Sequence, residues 1–223
     1  VPLILFTLIS ILFLIFEKTF RNQFLIIFII LFSIISTNLI INKNMQKHYL
    51  GFVKNSIEIV DYFSARFNSK EPNYLPNSYT KEIETGILTW QQNKLFGGGV
   101  KSFYFNCVKI KNSVLDKYGG TNCNTHPHNY YLQIANELGL IGLLLSVTIF
   151  VIIVLKSFKK IISYKNTNIT RLLIPFFIVF VVEIFPFKTT GSFFTSANST
   201  YLFIIIAFIS GLTQLINKPN YDK

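Results

Sequence analysis

Charged side chains are scarce in this chain. Only 14% of its 223 residues are charged, whereas 51% are hydrophobic and 16% are aromatic. Soluble domains carry about 25% charged residues, so the composition excludes that class and indicates a membrane protein. The charges that remain are mostly basic and sum to +11. Membrane topology explains this excess better than nucleic-acid binding, because no nucleic-acid-binding module is recognisable.

A phosphate-binding loop is also missing. The three consecutive glycines, Gly97 to Gly99, are not followed by a lysine and a hydroxyl residue in the required register. No predicted strand precedes them, so the segment does not fit a nucleotide-binding loop, and a flexible turn is the simplest interpretation.

Long apolar runs are the dominant feature of what is present. A helix needs about 17–25 residues to cross a hydrocarbon core of about 30 Å. Runs close to this length give a predicted all-α polytopic membrane protein with about five transmembrane helices. The predicted spans are residues 1–16, 24–41, 138–155, 172–187 and 201–216.

Basic residues in the short connections predict the orientation. Residues 156–171 hold five lysines or arginines and no acid, which is typical of a cytoplasmic loop. Counting outward from this loop gives two transmembrane helices in residues 1–41, one large outer segment at 42–137, and three transmembrane helices in 138–223. The outer segment is too long for a structureless loop. Its periodicity predicts an amphipathic helix over Tyr49 to Phe67 and a second helix from about Thr80 to Asn93.

The two cysteines both fall in the outer segment. Cys107 and Cys123 can pair there, because disulfides persist outside the cytoplasm, and the closed loop would stabilise the fold by about 3 kcal/mol. The alternative is a zinc site at Cys123, His126 and His128, but a structural zinc site requires a fourth ligand. We favour the disulfide and predict no metal.

Two histidines precede the third apolar run. Pro127 suits the first turn of a helix, with Thr125 or His126 as its cap, so we place His128 within that turn. The helix dipole then favours a neutral His128 imidazole. Small residues on the predicted His128 face, Gly139 and Gly142 among them, would allow a neighbouring helix to approach. Glu137 is out of phase with His128, so we expect it to make a structural hydrogen bond.

Three strings resemble the O-antigen ligase and polymerase superfamily of membrane glycosyltransferases. They are His126-Pro127-His128-Asn129 with the following Tyr-Tyr-Leu-Gln and Glu137-Leu-Gly-Leu-Ile-Gly; Trp90 with the glycine-rich segment 94–103; and residues 186–194. The resemblance covers roughly the C-terminal half of such a protein. Because the chain also starts at Val1 with a short apolar run, we expect a truncated part of a protein with about ten to twelve helices.

The resemblance implies both a reaction and a location. An acceptor hydroxyl attacks the anomeric carbon of a glycan carried on undecaprenyl pyrophosphate, with inversion and without a metal or other cofactor. The acceptor is lipid A-core or a growing glycan. The protein would lie in the bacterial inner membrane, so that segment 42–137 and the active site are periplasmic. The glycine-rich backbone would then approach a substrate closely.

Site residues follow from the positions that match the motifs or, for Lys81, flank them. His128 is the predicted catalytic base. The remaining predicted substrate-binding residues supply hydrogen bonds or positive charge for the pyrophosphate: His126, Asn129, Lys81, Lys101 and Lys188. Ligase, polymerase and protein-glycosylating activities share these motifs and are not separated by them.

A proton-coupled transporter or export component is the alternative function. It would use the outer histidines and the acid Glu183, which falls within a predicted span. The more ordinary role for Glu183 is a hydrogen bond between helices. A purely structural membrane scaffold is a third possibility. No internal repeat of the kind found in many transporters occurs.

Overall fold

The computed structural model describes residues 21–110, 114–164, 168–188 and 190–216. Helices hold 71% of these residues, and no strand occurs among them, which confirms the all-α prediction. The predicted span at 1–16 and the tail at 217–223 lie outside the described residues. The α-helices are α1 (Arg21–Ile41), α2 (Lys43–Phe67), α3 (Ser78–Trp90), α4 (Phe103–Cys107), α5 (Tyr130–Ser163), α6 (Asn168–Glu183) and α7 (Ser196–Leu215).

Asparagine caps set the starts of the outer helices. The Asn42 side chain accepts hydrogen bonds from the amides of Asn44 and Met45, so α2 begins well before the predicted Tyr49. Asn77 accepts from the Thr80 amide in the same way and starts α3. These bonds satisfy amide groups that have no partner within the helix.

Helices α5, α6 and α7 share one apolar core. Its most buried members are Leu173, Phe180, Leu202 and Ile209, which are each at most 1% exposed. Phe150 of α5 packs edge-on against Phe180 of α6 at 5.9 Å between ring centroids. Aromatic contacts of this kind add to the stabilisation from burial alone.

Helix α5 is broken at Gly139, where the backbone has φ 70° and ψ −170°. The residues ahead of the break include several buried polar side chains. Beyond the break the exposed residues are mainly large and apolar, for example Leu144, Leu145 and Ile149. The break therefore separates a buried, polar start of the helix from an apolar length whose side chains face outward.

The glycine-rich segment supplies the hydrogen bonds that the break removes from α5. The amides of Gly98 and Gly99 donate to the carbonyls of Asn136 and Glu137, at 2.8 and 2.9 Å. In return, the amide of Leu140 donates to the Lys94 carbonyl at 2.8 Å. The simple interpretation of this segment as a flexible turn is therefore wrong. Its backbone is paired with a helix, because buried amide and carbonyl groups need partners.

Within the described residues, α5 and α7 are long and apolar enough to cross a membrane. These two helices support the predicted third and fifth spans, and the other three spans remain predictions. Helix α6 has only 16 residues and ends at Glu183, short of the predicted end of its span at 187. Lys156, Lys159 and Lys160 lie on the last turns of α5, because lysine favours helix and a helix can extend beyond the bilayer, and Arg171 lies in the first turn of α6,. Lys165 lies outside the described residues, so the cytoplasmic loop at 156–171 remains a prediction.

Candidate functional site

The candidate site lies at the start of α5, which begins at Tyr130 and is capped by Asn129. The Asn129 side chain accepts a hydrogen bond from the Leu132 amide at 3.1 Å. His128 precedes the cap and has φ 45°, a left-handed conformation that no helical residue adopts,. The prediction that Thr125 or His126 caps the helix and that His128 lies in its first turn is therefore wrong. Asn129 is the stronger capping residue and moves the start of the helix from Pro127 to Tyr130,.

His126 and His128 lie side by side, with their ring centroids 4.3 Å apart. The Nδ1 atom of His126 is 3.1 Å from the Thr125 hydroxyl. Its Nε2 atom is buried and has no hydrogen-bond partner among the described residues. Burial, followed by the neighbouring His128, holds the pKa of His126 below its ordinary value, and the backbone of Thr190 only partly opposes this effect. The pair therefore favours a neutral His126.

The loop after α6 holds this histidine pair in place. The Thr190 amide donates to the His128 carbonyl at 2.8 Å. The Asn129 side chain, through its Nδ2, donates to the Pro186 carbonyl at 2.6 Å. Two strings separated by about 60 residues in sequence thus form one structure. Asn129 therefore makes two structural contacts: its side-chain oxygen caps α5, and its side-chain nitrogen binds this loop.

The two histidines line a cleft of about 610 Å³ together with Ser78, Tyr79, Glu82, Thr190 and Gly191. Helix α3 forms one wall, and the loop after α6 forms part of another. The Thr190 hydroxyl is buried and, like Nε2 of His126, has no partner among the described residues. Unpaired buried polar atoms are costly, so a water molecule or a ligand that reached either atom would stabilise the cleft.

A disulfide tethers the chain just ahead of the histidines. Cys107 and Cys123 are bonded, with their Cα atoms 5.8 Å apart, and Cys107 is fully buried. The amide of Asn122, next to Cys123, donates to the Thr85 hydroxyl of α3 at 3.1 Å. Both thiols are used in this bond, so the zinc alternative, which needed Cys123 as a ligand, does not fit the structure.

A sequence model of the O-antigen ligase family matches residues 1–147, which are 147 of the 223 residues and include both histidines. The chain belongs to the O-antigen ligase family. It is therefore a member of a membrane-protein family of glycosyltransferase-like enzymes that act in glycan transfer. No curated protein and no solved structure matches the chain.

None of the three lysines that were predicted to bind substrate lines the cleft. The Lys81 ammonium donates to the Tyr118 carbonyl at 2.5 Å. Lys188 forms an ion pair with Glu183, and both side chains are largely buried. The side chain of Lys101 is exposed, whereas its backbone amide donates to Glu137. The sequence alone could not show that Lys81 faces a carbonyl and that Lys188 faces a carboxylate.

Glu137 joins the glycine-rich string to the start of α5. Its Oε2 accepts from the Lys101 amide, and its Oε1 accepts from the Gln133 side chain at 2.9 Å. Gln133 also donates to the Ser192 hydroxyl and accepts from the Phe193 amide, at 2.8 and 2.7 Å. This buried network connects all three strings, so Glu137 has a structural role.

Gly139 and Gly142 have roles that differ from the predicted approach of a neighbouring helix. Gly139 is in contact with the backbone of Leu95 and Phe96 in the glycine-rich segment. A Cβ on Gly142 would meet Leu138 of the same helix at 2.3 Å. The break at Gly139 places the Leu138 side chain against Gly142, and no sequence pattern predicts this contact.

Sequence reasoning missed Glu82 and Thr190 as residues of the cleft. Glu82 is more than forty residues ahead of the histidines and lies on a helix predicted only from its apolar face. Thr190 belongs to one of the strings that resemble the family, but nothing in the sequence marks its hydroxyl as a group of the site. A tertiary contact brings both to the histidines.

Proposed function

We propose that the protein is a membrane glycosyltransferase of the O-antigen ligase or polymerase type. It transfers a glycan from undecaprenyl pyrophosphate to a lipid or sugar acceptor, with inversion, on the periplasmic face of the bacterial inner membrane. The observation that carries the proposal is the pair His126 and His128 in a cleft, inside the part of the chain that the family model matches.

His128 is the proposed general base. It removes the proton from an acceptor hydroxyl while that oxygen forms a bond to the anomeric carbon of the donor glycan. The bond from this carbon to the pyrophosphate oxygen breaks, and undecaprenyl pyrophosphate leaves with the bonding electron pair. A positioned base of this kind contributes about 10²- to 10⁴-fold to the rate.

His126 supports this step by staying neutral. Two imidazole rings 4.3 Å apart cannot both be cationic without strong repulsion, so a neutral His126 avoids repelling the imidazolium that forms when His128 receives a proton,. Its depressed pKa is consistent with that role. The hydrogen bond from the Thr190 amide to the His128 carbonyl holds the proposed base in position at the cleft,.

The transporter alternative is less well supported. Glu183, its proposed proton carrier, accepts a hydrogen bond from the Tyr130 hydroxyl at 2.9 Å and is paired with Lys188. A carboxylate held from both sides in this way is suited to joining α5, α6 and the following loop. No specific contact of the described residues favours proton transport.

The test is glycan transfer in membranes of cells that produce the complete protein as wild type, His128→Ala, His126→Ala or His48→Ala. We expect His128→Ala to reduce transfer by about 10²- to 10⁴-fold at normal abundance, and His126→Ala to reduce it less. His48 is exposed on α2 and serves as the control.

The glycans that accumulate identify the activity. Long chains that remain linked to the carrier would indicate a lost ligase, whereas single repeat units on the lipid acceptor would indicate a lost polymerase. Wild-type turnover by His128→Ala would overturn the mechanism.

A further inference from the structure

One carboxylate lines the cleft together with the histidine pair. Glu82 lies on α3 and lines the same cleft as His126 and His128. The family assignment does not account for it, because an acid is unsuited to binding a pyrophosphate. Among the described residues, the cleft has no lysine or arginine in its lining.

Two asparagine side chains orient the Glu82 carboxylate. Its Oε1 accepts from Asn124 at 2.8 Å and from Asn122 at 3.2 Å. Asn122 also donates to the hydroxyl of Ser78, which is another residue of the cleft, at 3.1 Å. Because the disulfided Cys123 lies between these two asparagines, their positions are restrained.

The second carboxylate oxygen is left for a ligand. Oε2 of Glu82 has no hydrogen-bond partner among the residues that the structure describes. A carboxylate oxygen accepts hydrogen bonds and has none to give when ionised. It therefore suits the hydroxyl groups of a sugar and repels a phosphate or a carboxylate in the same cleft.

We propose that Glu82 determines which sugar can bind beside the histidines. It accepts a hydrogen bond from a hydroxyl of the acceptor sugar and selects a neutral sugar at this end of the cleft. The donor pyrophosphate must then approach from another side, where the negative charge of Glu82 is more distant. This inference rests on the proposed glycosyltransferase function and extends it to acceptor specificity.

The experiment measures transfer in membrane vesicles that contain the complete protein and its carrier-linked glycan. Two acceptors are compared: a glycolipid that ends in a neutral hexose, and the matched glycolipid whose terminal sugar is the corresponding uronic acid. The proteins are wild type, Glu82→Gln, Glu82→Ala and Glu71→Gln. Glu71 is an exposed acid that is paired with Lys117 and does not line the cleft, so it is the control.

We expect the wild type to prefer the neutral acceptor by at least about tenfold in kcat/KM. Glu82→Ala should raise KM for that acceptor by about 10- to 100-fold with kcat changed by less than about threefold, because hydrogen bonds to charged groups are the stronger ones. Glu82→Gln keeps an acceptor oxygen and loses the charge. It should reduce the discrimination against the uronic acid by at least about tenfold.

The outcomes separate this inference from the proposed function. Equal use of both acceptors by the wild type overturns the specificity role, even if the Glu82 variants fail to fold. Unchanged KM and discrimination in well-folded Glu82 variants overturns it as well. Absence of any glycan transfer by the wild type, or transfer that is insensitive to His128→Ala, would instead reject the proposed function.

Discussion

Gly97 and Gly139 pack backbone against backbone with no space for a side chain on either. A Cβ on Gly97 would lie 2.5 Å from the amide nitrogen of Gly139. A Cβ on Gly139 would lie 2.2 Å from the Leu95 carbonyl oxygen. Both glycines also have positive φ, 73° and 70°. This contact is where the glycine-rich string takes over the hydrogen bonds of the broken α5.

Alanine at Gly97 or Gly139 should therefore destabilise the protein by more than about 2 kcal/mol. The left-handed backbone alone accounts for about 1–2 kcal/mol, and the backbone clash adds to it. Thermal unfolding of the detergent-purified protein measures the effect. Gly99→Ala is the matched control, since Gly99 has φ 95° but open space around its Cβ position. An equal loss in Gly97→Ala and Gly99→Ala would show that the close contact does not matter.

Acidification should destabilise the fold through His126. Its folded-state pKa lies below the unfolded value, so the unfolded state binds more protons in the window between the two,. Stability is therefore lost as pH falls below about 6.5. His126→Gln should flatten this part of a melting-temperature profile taken from pH 8 to pH 5. The exposed His48→Gln is the control, and a profile of His126→Gln that matches the wild type would contradict the prediction.

Arg66 should be needed to keep Glu84 buried. The guanidinium is 2.9 Å from Glu84, whose side chain is 1% exposed while that of Arg66 is 37% exposed. Burial raises the pKa of Glu84, and Arg66 opposes that effect. Arg66→Met should cost about 1–3 kcal/mol, less than for a fully buried pair because Arg66 keeps contact with water.

The double variant Arg66→Met with Glu84→Gln isolates the pairing energy. It should recover most of the loss, because the amide has no charge to leave unpaired. Chemical denaturation of the four proteins of this cycle gives the values. No recovery in the double variant would show that Arg66 contributes through packing alone.

Lys188→Met should lower stability by about 3 kcal/mol, because it leaves the largely buried Glu183 without its ion-pair partner,. Lys188→Met with Glu183→Gln should restore both stability and glycan transfer if Lys188 is structural. Restored stability without restored transfer would instead support the predicted binding of substrate by Lys188. Abundance, melting temperature and transfer rate are measured together on all variants.

Local chemistry in the sequence was sufficient for several features. Apolar runs predicted the helices that became α5 and α7, since burial in lipid depends on the length and composition of one continuous segment,. The periodicity that predicted α2 and α3 is equally local, and only their ends were misplaced. The histidine string identified the family.

The neighbours of each polar group were decided only by the tertiary structure. Asn129 caps α5 in place of Thr125 or His126, Lys188 pairs with Glu183, and the backbone amide of Lys101 donates to Glu137. Each of these groups has several possible hydrogen-bonding or ion-pair partners along the sequence, and only the fold shows which of them is close enough to bind. Glu82 reached the histidines in the same way, through the packing of α3 on α5. The sequence determined which segments are helical and apolar, whereas burial and hydrogen bonding in three dimensions decided which side chains form the site.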